Sequence, residues 1–290
     1  MVVFQRRFIY MGYVPLGSRE EVVSQYKNLF SGIDLQEVKL NEADSKAILH
    51  GIVIRRQTDD NLRRPRIRAT VIYMQGNAGN PLHRIPLFKS LLATCPELEL
   101  TILAVAPRSY WKSTPRRPTE RGIIQDYTQI LQYALKQWPN DPVFLLGHSL
   151  GATISVCLTS QLPDNPRIGG LIIENPFSSI PDMVRALYTS RWLPYHHLGP
   201  LAFDKWDAVK ATKEAPDSSL FRRLAREGKI LGLQSELDEI VPVYMGAKIC
   251  EAASVDKPVV IREALHENAW MTSKEWGKSI YAFLNKNIAR

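Results

Sequence analysis

Polar and apolar side chains alternate along Leu35–Leu40 and again along Ile48–Ile54, and the polar stretch Asn41–Ser45 lies between them. A period of two on both sides of a polar break predicts an antiparallel hairpin. Beyond the loop Thr58–Arg68 the pattern changes to short, continuous apolar runs, most of them followed by a helical stretch. Ala69–Met74 predicts a strand that turns through Gly76-Asn77-Ala78-Gly79 into a helix over 81–94. Strands over 99–105, 143–147 and 169–174 then alternate with helices near 119–138 and over 150–161. Lys229–Gln234 and Pro258–Glu263 predict two late strands, each followed by a helix, 242–253 and 272–288. Continuous apolar strands are covered on both faces, and their alternation with helices implies right-handed crossovers and a mostly parallel sheet. The expected class is α/β, with flanking helices, as one domain over 1–290. Glu20–Phe30 predicts a short helix. The aromatic-rich, irregular segment 176–226 is expected to form a small helical cap.

Composition changes this picture little. Charged residues at 23% and apolar residues at 45% of 290 positions are ordinary for a globular chain. The net charge of +8 comes from arginine clusters: Arg6-Arg7, Arg55-Arg56, Arg63-Arg64 with Arg66 and Arg68, Arg116-Arg117, and Arg222-Arg223 with Arg226. These runs stand mostly in Pro- and Asp-containing loops without a nucleic-acid-binding signature, so solvated loops are the first expectation and peripheral contact with anionic membrane the second. No nucleic-acid partner is expected. Cys95, Cys157 and Cys250 are odd in number and far apart, which gives neither a disulfide framework nor a metal spacing. The apolar stretch Phe8–Pro15 is too short for a signal-peptide core or a membrane span. The expected location is cytoplasmic or peripherally membrane-associated.

The chemistry concentrates at Gly147-His148-Ser149-Leu150-Gly151, between an apolar strand and an apolar helix. Glycines on both sides let strand and helix approach closely while the serine at the bend is lifted out of the fold, as in a nucleophile elbow. A serine hydroxyl needs a histidine to take its proton and a carboxylate to hold that histidine. In elbow folds the acid and base follow in later loops, in the order Ser, acid, His. Asp238, after strand 229–234, is the preferred acid, with Glu236 and Glu239 as local competitors. His266, in the loop after strand 258–263, is the preferred base. His50, His83, His148, His196 and His197 fit the order less well. The oxyanion is expected to meet the N–H groups of Leu150 and Asn77. Trp111, Tyr188, Trp192 and Phe203 are expected to line the substrate pocket, together with Leu193, Tyr195, Leu201 and Trp206.

These motifs, with Glu174-Asn175-Pro176-Phe177-Ser178-Ser179-Ile180 and Lys205-Trp206-Asp207, resemble the bud-emergence (Bem-type) branch of α/β-hydrolase-domain proteins. The resemblance runs over almost the whole chain. It implies the α/β-hydrolase fold, a Ser149–Asp238–His266 triad, and kinship with depalmitoylating thioesterases and with serine aminopeptidase-like hydrolases. Four positions depart from the family pattern: Gln75 stands for a histidine, Ser109 and Trp111 stand for glycines, and Ala264 stands for a glycine. Relatives often carry a membrane-spanning N-terminal segment that has no counterpart here. The expected activity is hydrolysis of a carboxylic ester or thioester, acyl-protein (palmitoyl) thioesters included, through an acyl-enzyme and without metal or organic cofactor. The alternatives are a serine peptidase or amidase and a non-catalytic hydrolase-fold scaffold. Acyl chain, leaving group, pathway and oligomeric state stay open.

Overall fold

The computed structural model describes residues 5–41, 47–57, 67–188 and 199–288. Eight strands form one sheet: β1 (Ile33–Asn41), β2 (Ile48–Arg56), β3 (Ile67–Met74), β4 (Leu98–Val105), β5 (Val143–His148), β6 (Ile168–Glu174), β7 (Ile230–Ser235) and β8 (Val259–Ile261), in the order β1-β2-β4-β3-β5-β6-β7-β8. The hairpin β1–β2 is antiparallel, as the alternation predicts, and β2 also pairs antiparallel with β4. All later neighbours are parallel. Their continuous apolar runs are buried: Val71, Ile72, Ile102, Leu103, Leu145, Leu146 and Ile172 make the centre of the core.

Ten α-helices are assigned among the described residues: α1 (Gln5–Ile9), α2 (Ile85–Thr94), α3 (Glu120–Gln137), α4 (Leu150–Gln161), α5 (Ile180–Leu187), α6 (Ala208–Glu214), α7 (Leu220–Arg226), α8 (Tyr244–Ala253), α9 (Ala269–Thr272) and α10 (Lys274–Asn287). Helix α4 is buried from Leu150 through Ser160, because it lies on β5 and is itself covered by α6 and α7. An apolar helix with no polar face needs such cover.

Several expectations are refined. The helix expected from residue 81 opens as a 3-10 turn, Pro81–Arg84, and α2 begins only at Ile85. Pro86 has no N–H to give to the Leu82 carbonyl, so an α-turn cannot continue there. Residues 20–30 form a 3-10 segment, Val23–Leu29, with none of its residues buried. The last helix divides at Ser273, whose hydroxyl accepts from Glu275 N–H and caps α10. The segment 176–226 divides too. Helix α5 and the turn Gly199–Leu201 border an apolar cavity, whereas α6 and α7 pack on α4 as part of the helical layer over the sheet. Trp206, between them, is fully buried and donates to Tyr10 Oη at 2.8 Å.

Candidate active site

Strand β5 runs into α4 through Ser149, which stands at φ 54°, ψ −118°. That is a left-handed conformation a serine rarely adopts, and the surroundings hold it. Ser149 N–H donates to Glu174 O at 2.9 Å, and Ser149 O accepts from Ala152 N–H and Thr153 N–H. The bend closes only because Gly151 lacks a side chain: a Cβ there would stand 2.0 Å from Met74 O. Ser149 and Leu150 reach the wall of the cavity, and the N-terminus of α4 favours negative charge there.

Asp238 follows β7, and its side chain is fully enclosed. Its Oδ1 accepts from the N–H groups of Ile240 (3.0 Å) and Val241 (2.8 Å), so the sharp turn toward Pro242 is what orients the carboxylate. Both oxygens face His266 Nδ1, at 2.9 and 2.8 Å. With Nδ1–H committed to Asp238, Nε2 is the basic nitrogen of the neutral ring. The competing glutamates serve main chain instead. Glu239 Oε2 accepts from His266 N–H at 2.9 Å and Glu236 Oε2 accepts from Glu263 N–H at 3.0 Å. The His266 carbonyl is gripped by two buried donors, His148 Nε2 and Asn175 Nδ2, each at 2.9 Å. Asn175, at φ 49°, also accepts from Ser235 N–H and donates to Ser235 Oγ, which ties the ends of β6 and β7 to the histidine loop.

The turn after β3 forms the opposite wall. Met11 N–H (2.7 Å) and Tyr110 O–H (3.0 Å) both donate to Asn77 O, fixing the Asn77–Ala78 peptide, and Gly79 N–H donates to Val14 O. Asn77, Ala78, Ser149, Leu150 and His266 border one cavity of about 620 Å³. The rest of its wall is mainly apolar: Phe8 and Ile9 from α1, Met183, Val184 and Leu187 from α5, and Ile240 and Val241 from the acid loop. Cavities of this size and character suit an apolar ligand with a few polar anchors.

Behind the elbow lies a buried ionisable cluster. Burial lowers the His148 imidazole to about 4, so it is neutral near pH 7 and donates through Nε2. Burial pushes the Glu174 carboxyl up to about 7, although Trp276 Nε1 donates to it at 3.0 Å. Glu267, at the exposed edge of the cluster, is raised by partial desolvation, but His148 and the Arg84 guanidinium bonded to it hold it down at about 2. Among the described residues His148, His266 and Glu267 are the one group whose donor atoms lie close enough to share a metal ion. Their carboxylate already carries the Arg84 cation.

Of the residues expected at the substrate, Tyr188 and Leu201 border the cavity. Trp111 does not. It is fully buried at φ 41°, donates from Nε1 to Glu21 O at 2.8 Å and meets the His50 ring edge-on. Its neighbour Ser109 also has positive φ, so both positions occupied by glycine in the resembled family keep a glycine-like backbone here. Phe203 is exposed and lies under the Arg6 guanidinium, away from the cavity wall. Trp192, Leu193, Tyr195, His196 and His197 lie outside the described residues. Gln75 is buried with no partner for its amide, and Ala264 is buried in the histidine loop. Sequence reasoning missed the role of α1. Its signal was the split of Phe8, Ile9 and Met11 from Arg6 and Arg7 within one short segment.

The family model for serine aminopeptidase S33 (Hydrolase_4) matches residues 117–215, a stretch that holds the elbow and stops before Asp238. Protein Bem46 of Schizosaccharomyces pombe is 25% identical over 82% of this chain and 71% of its own length. The α/β-hydrolase domain-containing protein WAV2 of Arabidopsis thaliana is 25% identical over 99% of this chain and 89% of its own. Lysophosphatidylserine lipase ABHD12 of Danio rerio is 27% identical over 64% of this chain, which spans about half (48%) of that lipase. Among solved structures, a Pyrococcus furiosus esterase superposes with a TM-score of 0.64 at 17% identity, covering 91% of this chain and 94% of that one. Est1E of Butyrivibrio proteoclasticus, with ferulic acid bound, gives 0.60 at 18%, covering 87% and 100%. At such identities the two structures speak for the fold alone.

Proposed function

For this chain, an α/β-hydrolase related to the Bem-type proteins, we propose a serine hydrolase that cleaves carboxylic esters of apolar acyl groups. The observation that carries the reading is one wall shared by a strained Ser149 and a His266 whose Nδ1 is held by both oxygens of an enclosed Asp238. In the proposed reaction His266 Nε2 takes the Ser149 hydroxyl proton as Oγ attacks the acyl carbonyl. Asp238 stabilises the imidazolium, and the N–H groups of Leu150 and Asn77 receive the oxyanion. The imidazolium returns its proton to the leaving oxygen, leaving Ser149 acylated. A water deprotonated by His266 then releases the acid and restores the serine. The apolar wall supports an acyl chain as the recognised part of the substrate, as the name of the lipase relative also suggests. A thioester fits the same scheme with sulfur as the leaving atom.

The test is labelling of wild type and Ser149→Ala by a fluorophosphonate, followed by hydrolysis of p-nitrophenyl esters of increasing chain length. The expected result is labelling of wild type only, a turnover loss of several powers of ten in the variant, and an optimum at medium or long chains. A folded wild type that neither labels nor turns over would sink the proposal and favour a non-catalytic scaffold.

A further inference from the structure

The turn 77–80 is gripped at both ends by residues 11–21 and by the loop 109–111. Met11 pairs in parallel with Ala78, giving its N–H to Asn77 O, while Gly79 N–H donates to Val14 O, both at 2.7 Å. Tyr110, fully buried, adds its hydroxyl to Asn77 O at 3.0 Å. At the far end Asn80 Oδ1 accepts from Leu82 and His83 N–H, and Asn80 Nδ2 donates to Ser18 O at 2.7 Å and to Glu21 Oε2. The same Glu21 oxygen meets His83 Nε2 at 2.7 Å. Glu21 is in turn placed by Trp111, whose Nε1 donates to Glu21 O at 2.8 Å. Two adjacent side chains of one loop thus reach both ends of the turn, Tyr110 directly and Trp111 through Glu21. The backbone that presents them has positive φ on either side of Tyr110, 66° at Ser109 and 41° at Trp111. Gly12 lets the chain lie close against this loop: a Cβ there would stand 2.8 Å from Ser109 O and 2.9 Å from the Tyr110 ring.

Across a trans peptide C=O and N–H point in opposite directions, so holding the Asn77 carbonyl fixes Ala78 N–H and sets the backbone on which Asn77 N–H stands. A donor to an oxyanion is effective when it is aimed before the charge develops. We propose that Tyr110 and Glu21 are positioning residues that preset this turn for the oxyanion, Tyr110 at Asn77 and Glu21 at Asn80 and His83. Neither borders the cavity, so both act through the turn. In the resembled family a glycine stands at position 111 and has no indole to hold Glu21, which makes this half of the grip a feature of this chain. The proposal rests on the esterase reading above.

The experiment compares Tyr110→Phe, Glu21→Ala and Glu21→Gln with wild type, and Tyr10→Phe is the control. Tyr10→Phe also removes one buried hydroxyl, the acceptor of Trp206 Nε1, but that hydroxyl does not bond to the turn. The readouts are p-nitrophenyl ester kinetics, inhibition by an alkyl trifluoromethyl ketone, whose adduct with Ser149 carries an oxyanion, and hydrogen exchange. Exchange is followed at the Gly79, Leu82 and His83 amides, which Val14 O and Asn80 Oδ1 protect. In Tyr110→Phe kcat is expected to fall about tenfold, short of the roughly 10²–10³-fold of a deleted donor, with KM near wild type. Affinity for the ketone should fall about as far as kcat, because both depend on the oxyanion. Glu21→Ala is expected to lower kcat about 2–10-fold and to speed exchange at the turn. Glu21→Gln should recover most of both, since its amide oxygen can accept the same two bonds. Tyr10→Phe is expected to lose stability alone. Wild-type kcat and exchange in Tyr110→Phe, or an equal kinetic loss in Tyr10→Phe, overturns the proposal. A wild type that cleaves no ester counts against the esterase reading, and exchange at the turn still decides whether Tyr110 and Glu21 set it.

Discussion

Gly151→Ala isolates the geometry of the elbow from its chemistry. The added methyl group would stand 2.0 Å from Met74 O, 2.5 Å from Met74 C and 2.6 Å from Gln75 O, all main-chain atoms at the end of β3. Real Cβ contacts essentially never fall below 3.0 Å, so the start of α4 must move by about 1 Å. Overpacking of this kind costs about 1–3 kcal/mol, against at most about 1 kcal/mol gained from alanine over glycine in a helix. A net destabilisation of about 1–2 kcal/mol is expected in urea unfolding. The kinetic loss is larger, since the movement displaces Ser149 and Leu150 N–H together, and a misplacement of about 1 Å costs on the order of 10²-fold. Ester hydrolysis is expected to fall 10²–10³-fold while most of the protein stays folded. Gly277→Ala is the control. The three atoms nearest its methyl group all belong to the Thr94 side chain, at 2.7, 2.9 and 3.4 Å and away from the elbow, so a loss of stability is expected with the rate near wild type. A Gly151→Ala protein with the wild-type rate and unfolding midpoint would refute the reasoning.

Asp238→Asn keeps the shape of the acid but removes the charge facing His266 Nδ1, and kcat is expected to fall about 10⁴-fold with KM little changed; steady-state kinetics on a p-nitrophenyl ester checks this. Asn175→Ala leaves Ser235 N–H and the His266 carbonyl short of a buried partner, and is expected to destabilise by about 2–4 kcal/mol and to lower kcat more than it raises KM. The Glu174 carboxyl is raised to about 7 when folded, so the folded state holds a proton that the unfolded chain releases near its ordinary 4.5. Its contribution to stability therefore falls as pH rises from about 4.5 to 7, by on the order of 3 kcal/mol. His148 works the other way. Lowered to about 4 from 6.5, it adds stability that is complete near neutral pH and is lost as pH falls through that window. The two slopes oppose each other between about 4.5 and 6.5. Glu174→Gln should remove one of them, leaving unfolding midpoints that drop more steeply on acidification than in wild type; equal pH profiles would refute the opposition.

Much of the fold is legible in local pattern. Alternation along Leu35–Leu40 and Ile48–Ile54 marks a hairpin because a period of two is the strand's own geometry, and the apolar run into Gly147–Gly151 marks a buried strand that must bend. Asp238 and His266 could be singled out because chain order in such folds restricts where acid and base stand. Local pattern could not separate Asp238 from Glu236 and Glu239. The turn does so: Ile240 and Val241 N–H hold one carboxylate against the imidazole, while the other two are spent on main-chain donors.

The aromatic residues show the limit most clearly. Trp111 and Trp206 are as apolar as any pocket residue, yet both are buried in the body of the protein, and the cavity is bordered instead by α1, α5 and the acid loop. Side-chain type sets what a residue tolerates, and packing between distant segments decides which surface it meets. The same holds for charge. Arg6-Arg7 and Arg116-Arg117 read separately as solvated runs, yet Arg6 is paired with Asp204 and Arg116 with the buried Asp126. Local sequence thus determined the strands, the bend and the order of the reactive groups, since these depend on neighbours a few residues away. The choice of walls for the apolar cavity was decided only by the tertiary fold, which brings together segments a hundred residues apart.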